Sequence, residues 1–278
     1  MTAQIVVITG STQGLGFGYA REFLRRGHSV MVSGRTAAGV EAAVARLAID
    51  ADSGGARVAG AVCEVSDLVS VQALWDAAVA RFGRVDIWVN NAGYARTGPA
   101  FADTTPADIE AMVRANVIGS IHAAQVAVAG MSKQGGGRLY LTLGGGGASG
   151  RIVKGMTVYS TTKRAVKYLA ASLVKERAAL RDSSILVGTI SPGINLTEGM
   201  IREMKTVPQA ERDRALRQLN FIGDHVETTT PWIVERILND RKQGNEITWL
   251  TTGRLMRRAF AQLFGARRDI VSRYRFES

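Results

Sequence analysis

Seven apolar runs recur along the 278-residue chain, and segments of helical period fill most of the intervals between them. The runs are IVVITG (5–10), SVMVSGR (29–35), ARVAGAVCEVSD (56–67), VDIWVNNAG (85–93), GRLYLTL (137–143), SSILVGTISPG (183–193) and NEITWLTTG (245–253). Helix patterns begin near Leu15, where Ala20, Phe23 and Leu24 share the apolar face, and continue at 37–50, 71–83, around 106–132 and around 157–180. Strands that are apolar nearly throughout belong to a sheet covered on both faces, and crossover helices let neighbouring strands run parallel. The alternation therefore predicts an α/β chain built on a doubly wound parallel sheet of about seven strands. No proline- or serine-rich linker and no repeat divides it, so 1–278 reads as a single domain. Residues 194–244 are more polar and less regular; an insertion outside a strand's carboxyl end is where such folds build a substrate pocket. Residues 253–278 read as a C-terminal helical extension.

Composition narrows the function classes. A 46% hydrophobic chain with 21% charged residues can bury a core, and no apolar run reaches the 18 or so residues of a membrane span. The start, MTAQIVVITG, reads as a first strand rather than a targeting signal, and the single Cys63 fits a reducing compartment. Both features predict a cytoplasmic protein. The net charge of +11 is spread along the chain and concentrates near its end, at Arg254, Arg257, Arg258, Arg267, Arg268, Arg273 and Arg275. There is no metal-ligand spacing, and no basic helix or aromatic platform suited to nucleic acid, so neither a metal nor a nucleic-acid partner is expected.

Chemistry first appears in TGSTQGLG (9–16), which follows the first strand and opens the first helix. Glycines there allow a tight turn and let backbone N–H groups approach a pyrophosphate at the helix N-terminus. The second constellation is YSTTK (159–163). Tyr159 and Lys163 are four residues apart and share a helix face. A phenol titrates near pH 10, and an adjacent ammonium favours the phenolate, so the pair predicts a tyrosine brought toward neutral-pH acid–base work.

The glycine spacing Gly10, Gly14, Gly16 resembles that of the short-chain dehydrogenase/reductase family. Four further motifs agree: NNAG (90–93), Asn116 in RANVIGS, YSTTK, and SPG (191–193). The resemblance spans residues 3–253 and implies a Rossmann-type sheet, a homodimer or homotetramer, and a nicotinamide dinucleotide held by Gly10, Ser11, Thr12, Gly14, Leu15, Gly16, Asn91, Ala92, Gly93, Pro192, Gly193 and Thr197. It also implies Glu64 and Val65 beside the adenine, glutamate standing in place of the usual aspartate. Tyr159 becomes the proton donor to a carbonyl, Lys163 its electrostatic tuner and ribose contact, and Asn116 a relay. The acidic residue that ends strand two in NAD-users is replaced by Gly34 and Arg35, which suits a 2′-phosphate and favours NADP(H), with Ser11, Thr12 and Ser33 as neutral donors.

One expected member is missing. The family's serine, usually 13 residues before the tyrosine, falls on Gly146; aligned from the strand start it falls on Gly144. Gly144, Gly145 and Gly146 thus mark the substrate pocket, and the nearest hydroxyls are Thr142 and Ser149. A glycine-rich loop here, with SPGINLT (191–197) and NFIGDHVETTTPWIVERI (220–237), resembles a branch that includes chlorophyll b reductases. The expected activity is NADPH-dependent reduction of a ketone or aldehyde on a fairly large or apolar small molecule. The alternatives are reduction of a tetrapyrrole aldehyde and an NADP(H)-binding protein without turnover. Leu255, Met256, Ala259, Phe260, Leu263 and Phe264 form an apolar stripe flanked by arginines, which suits packing, a substrate lid or a peripheral membrane contact.

Overall fold

The computed structural model describes residues 2–51, 55–146, 150, 152–205, 209–265 and 268–274. The chain opens with β1 (Ile5–Ile8), α1 (Gly14–Arg25), β2 (Ser29–Gly34), α2 (Ala37–Ala48), β3 (Val58–Val62), α3 (Leu68–Phe82) and β4 (Ile87–Asn90). A 3₁₀ turn (Phe101–Asp103), α4 (Pro106–Val113), a π-helical turn (Arg114–Ile118) and α5 (Gly119–Lys133) lead to β5 (Gly137–Thr142). Then come α6 (Thr157–Ala179), β6 (Ile185–Ser191), β7 (Ile194–Leu196), α7 (Glu198–Lys205) and α8 (Gln209–Ile222). β8 (Gly223–His225), α9 (Val226–Asn239), β9 (Glu246–Thr248) and α10 (Thr252–Leu263) complete the order.

Seven strands form one parallel sheet in the order β3-β2-β1-β4-β5-β6-β9. Along β1, Val6 and Ile8 face a cluster with α1, α2 and α9, while Val7 faces a cluster with α3, α5 and α6. Both faces are dry, which is why these strands carry no polar alternation. The edge strand β3 departs from this, with Val62 49% exposed. The order reverses between β1 and β4, and the crevice outside their carboxyl ends is where such sheets bind ligands.

Residues 194–244 are more ordered than their polarity suggests. β7 and β8 pair as a small parallel sheet, and α7, α8 and α9 surround it. Polar groups hold it together. Asp224, on β8, is buried and accepts from Trp249 Nε1 (2.7 Å), Arg268 Nη2 (2.7 Å) and both Arg258 contacts (2.6 and 2.8 Å). Arg254 lies over the Trp249 ring at 3.5 Å. Two of the arginines flanking the C-terminal stripe are therefore turned inward rather than left for anionic lipid. The stripe itself stays open at Met256, Phe260, Leu263 and Phe264. Arg267 and Arg275 lie outside the described residues. Among the described residues, no helix is long and apolar enough to cross a membrane and no metal-binding cluster occurs.

Candidate active site

The glycine loop is shaped by close approach. A Cβ on Gly10 would lie 2.8 Å from the Ala92 Cα, and one on Gly16 would lie 2.5 Å from the Gly10 carbonyl oxygen and 2.6 Å from Asn91 Nδ2. Gly10 and Gly14 also hold positive φ, 61° and 59°. Asn91 donates to the Thr9 and Gly10 carbonyls, each at 3.0 Å, so its side chain braces the loop. Thr9, which sequence reasoning passed over, accepts from the Asn91 and Ala92 N–H groups through Oγ1. The cradle, free of side chains and set at a helix N-terminus, fits a dinucleotide pyrophosphate.

Two expected donors are spent elsewhere. Ser11 Oγ donates to the Ile8 carbonyl (2.7 Å) and accepts from the Ser33 N–H (2.9 Å), and both serines are fully buried. A hydroxyl carries one hydrogen, so Ser11 tightens the β1–β2 junction instead of greeting a phosphate. Ser33 Oγ likewise donates to the Ile8 carbonyl (3.4 Å). Thr12 remains at the surface of the loop, and Arg35 is exposed beside it in sequence to Gly34. A Cβ on Gly34 would meet Thr12 Cγ2 at 2.5 Å, so a side chain there needs Thr12 to move. Glu64 caps its own turn, accepting from the Ser66 N–H and Oγ at 3.0 Å, while Val65 packs against Gly119.

Tyr159 and Lys163 sit in the first two turns of α6, facing the end of β5. Lys163 is 4% exposed, donates to the Thr142 carbonyl (3.1 Å) and lies 5.9 Å from the Tyr159 ring centroid. Asn116 is fully buried in the π-helical turn; it accepts from the Tyr94 N–H (2.8 Å) and donates to the Tyr94 carbonyl (2.8 Å) and Thr162 Oγ1 (2.9 Å). Its polar atoms brace Tyr94 and α6, and one of the lysine's three donors goes to β5. Asn116 and Lys163 converge on Gly93, where a Cβ would lie 2.9 Å from the amide oxygen and 3.3 Å from Nζ.

The electrostatics run against the sequence expectation. Burial pushes the Tyr159 phenol up to about 12 and the Lys163 ammonium down to about 8. Desolvation disfavours the charged form of each, and it outweighs the attraction expected between them. Tyr159 is therefore a protonated acid at neutral pH.

The glycines explain themselves locally. A Cβ on Gly144 would lie 2.5 Å from the Tyr159 hydroxyl oxygen, and one on Gly145 would lie 2.5 Å from Tyr159 Cε1. Gly145 and Gly146 hold φ of 49° and 81°, the left-handed region that favours glycine. Ser160 Oγ donates to the Gly145 carbonyl, tying the loop to α6. Gly147 and Ser149 lie outside the described residues. Thr142 Oγ1 is buried without a hydrogen-bond partner.

Beyond β6, Gly193 has φ of 73° and packs near Trp249 and Leu250. Pro192 is buried and its carbonyl accepts from Asn195 Nδ2 (2.9 Å). Thr197 touches the glycine loop, its Cγ2 3.2 Å from where a Gly14 Cβ would be. The next residue was not foreseen: Glu198 accepts from the Gly14 N–H at 3.1 Å. A lone acid after a motif carries no periodic signal. Leu15 packs against the core cluster behind the loop.

A doubly wound sheet with this cradle at its switch point and a tyrosine–lysine pair beside it is the framework of a nicotinamide-nucleotide oxidoreductase. A family model described as short chain dehydrogenase matches residues 4–207. Chlorophyll(ide) b reductase NOL, chloroplastic, from Oryza sativa subsp. japonica is 30% identical over 270 residues, 95% of this chain and 76% of that protein. Probable chlorophyll(ide) b reductase NYC1, chloroplastic, from Arabidopsis thaliana is 30% identical over 264 residues, 90% of this chain and 51% of that protein. The chain thus spans about half the length of the second relative. Among solved structures, levodione reductase matches with a TM-score of 0.78 at 24% identity, covering 92% of this chain and 99% of that one. A 7α-hydroxysteroid dehydrogenase complexed with NADH and 7-oxo glycochenodeoxycholic acid matches with a TM-score of 0.72 at 26% identity, covering 89% and 92%. The chain belongs to the short chain dehydrogenase family and carries the features of its chlorophyll b reductase-like branch.

Proposed function

We propose that the protein is an NADP(H)-dependent reductase of a ketone or aldehyde carried on a large, apolar small molecule. The observation that carries this reading is Tyr159, a neutral phenol in the first turn of α6, with Lys163 one turn behind it and bonded to the end of β5. When bound, the dinucleotide supplies a hydride to the carbonyl carbon. Tyr159 donates its hydroxyl proton to the carbonyl oxygen, the role a neutral phenol can fill. Lys163 holds β5 through the Thr142 carbonyl and stands ready to return a proton to the tyrosine. Gly34 and Arg35 support NADP(H) over NAD(H): the glycine stands where NAD-users carry a ribose-binding acid, and the arginine offers a planar fork to a 2′-phosphate.

The surroundings of Tyr159 support the substrate class. Gly144 and Gly145 lie against its ring and hydroxyl without a side chain, and Tyr94, held by Asn116, is exposed. A site with few polar side chains suits a bulky apolar body rather than a sugar. A second reading, the formyl group of a tetrapyrrole, is favoured by the 30% identity to proteins named chlorophyll(ide) b reductases.

The test is turnover of a carbonyl panel, including a formyl-bearing tetrapyrrole, with NADPH and NADH. Tyr159→Phe is expected to lower kcat by at least about 100-fold with nucleotide affinity retained. Full activity in that variant would overturn the tyrosine's role. Tight NADPH binding with no turnover of any carbonyl would favour the non-catalytic reading instead.

A further inference from the structure

Beside α1 an open cavity of about 170 Å³ is lined by residues of α1, α2, β7, α7, α9 and the C-terminal segment. Its lining includes neither Tyr159, Lys163, Asn116 nor Arg35, and it meets the nucleotide loop only at Gly14. We propose that this cavity binds a small phosphate dianion, either inorganic phosphate or a small phosphate monoester, as a site separate from the nucleotide crevice.

Three arginines line it, Arg21 from α1, Arg46 from α2 and Arg273 from the C-terminal segment, against two acids, Glu198 and Glu227. Arg21 Nε is buried and has no hydrogen-bond partner. A buried donor left unmade is costly, and among the described residues nothing completes this one. Arg46 is held by the face of the Phe17 ring, 4.2 Å from its centroid, a contact that fixes the guanidinium without using its N–H groups. Only Arg273 has a carboxylate at hand, Glu227 at 3.6 Å. The other acid in the lining, Glu198, accepts from the Gly14 N–H. Among the described residues, Arg21 and Arg46 have no carboxylate partner.

The chemistry and size select the ligand. Guanidinium forks pair with phosphate oxygens through parallel N–H bonds, a geometry that favours a tetrahedral dianion over chloride. At about 30 Å³ per water, 170 Å³ holds about five or six waters, room for a phosphate with a few carbons. Drug-sized ligands occupy cavities from about 300 Å³ upward, so the pocket is matched to a small anion. The bound anion would join the C-terminal segment and α7 to α1, and so tie the chain's end to the helix that carries the nucleotide loop.

The test is calorimetric titration of the full chain with sodium phosphate against sodium chloride at matched ionic strength. Arg21→Gln, Arg46→Gln and Arg35→Gln variants are compared after thermal melts confirm folding. The expected result is one saturable site, weakened at least tenfold by Arg21→Gln and by Arg46→Gln and unchanged by Arg35→Gln. Should Arg21→Gln fail to fold, the exposed Arg46 decides. Absence of saturable binding, or binding lost in Arg35→Gln and kept in the other two, would overturn the proposal. The second pattern would place the phosphate in the nucleotide crevice. Glycerol phosphate binding more tightly than inorganic phosphate assigns the ester as ligand; the reverse order assigns the free ion.

Discussion

The Tyr159 hydroxyl oxygen lies 2.5 Å from the point where a side chain on Gly144 would begin. A serine at 144 would therefore need the end of the tyrosine ring to shift. Any Cβ at 144 must push the proton donor aside. Gly144→Ser is expected to lower kcat by about 10- to 100-fold, the scale of a misplacement near 1 Å at a reacting centre. Gly144→Ala should do nearly the same, since the clash begins at Cβ. Steady-state turnover with NADPH decides it: a faster Gly144→Ser enzyme would show that the tyrosine yields and that serine restores what the site lost.

Glu198 holds the Gly14 N–H that opens α1, with Arg202 donating to Gln13 Oε1 (3.2 Å) alongside. A carboxylate at a helix N-terminus is stabilising by about 0.3–1 kcal/mol, and a pyrophosphate would compete for the same donors. Glu198→Ala should therefore bind NADPH about two- to fivefold more tightly, the fold equivalent of that range, while losing a little thermal stability. Fluorescence titration checks the affinity. Weaker binding would show that Glu198 helps to hold the nucleotide.

Arg35→Ala should weaken NADPH by about 10- to 100-fold, as expected for losing a charge-assisted pair, and leave NADH unchanged. Gly34→Asp alone should not create an NAD enzyme, since its Cβ meets Thr12 Cγ2 at 2.5 Å. Paired with Thr12→Gly, the acid gains room, and the NADH-to-NADPH preference should rise. Dissociation constants for both nucleotides in each variant provide the check.

The sequence made the framework legible because its signals are local. Val6, Val7 and Ile8 are apolar without alternation because both faces of β1 are covered, and the glycine spacing follows from backbone contacts within a few residues. Tyr159 and Lys163 were found together because helix spacing fixes them. What escaped was made by distant polar partners. Asp224 reads as a loop acid, yet it is buried by Arg258, Arg268 and Trp249, and it organises a segment whose polarity predicted irregularity. Ser11 looked like a phosphate donor until β2 claimed it. That the tyrosine's pKa rises rather than falls was also out of reach, because spacing shows that a lysine is near but not that both groups are desolvated.

Lys163 gives a pH dependence whose sign follows from its burial. Its folded pKa, about 8, lies below the ordinary 10.5 of the unfolded chain. Between those values the unfolded state binds more protons, so stability rises with pH through this window and is lost as pH falls through 8. Tyr159 acts oppositely: raised from 10 to about 12, it contributes stability that is present below pH 10 and is lost as pH rises through 12. Measurements from pH 7 to 9.5 therefore stay clear of the tyrosine, and the difference from a Lys163 variant cancels Cys63, whose thiol burial raises from 9.0 to about 11. Over that range the wild-type chain should gain about 2 kcal/mol relative to Lys163→Met, since each pH unit inside the window changes stability by about 1.4 kcal/mol. The bond to the Thr142 carbonyl adds only a constant offset to the difference. Denaturant midpoints of the two chains at several pH values provide the measurement. A difference that stays flat from pH 7 to 9.5 would show that Lys163 titrates as an ordinary lysine, and the desolvation that raises the Tyr159 phenol would then have to be reconsidered with it.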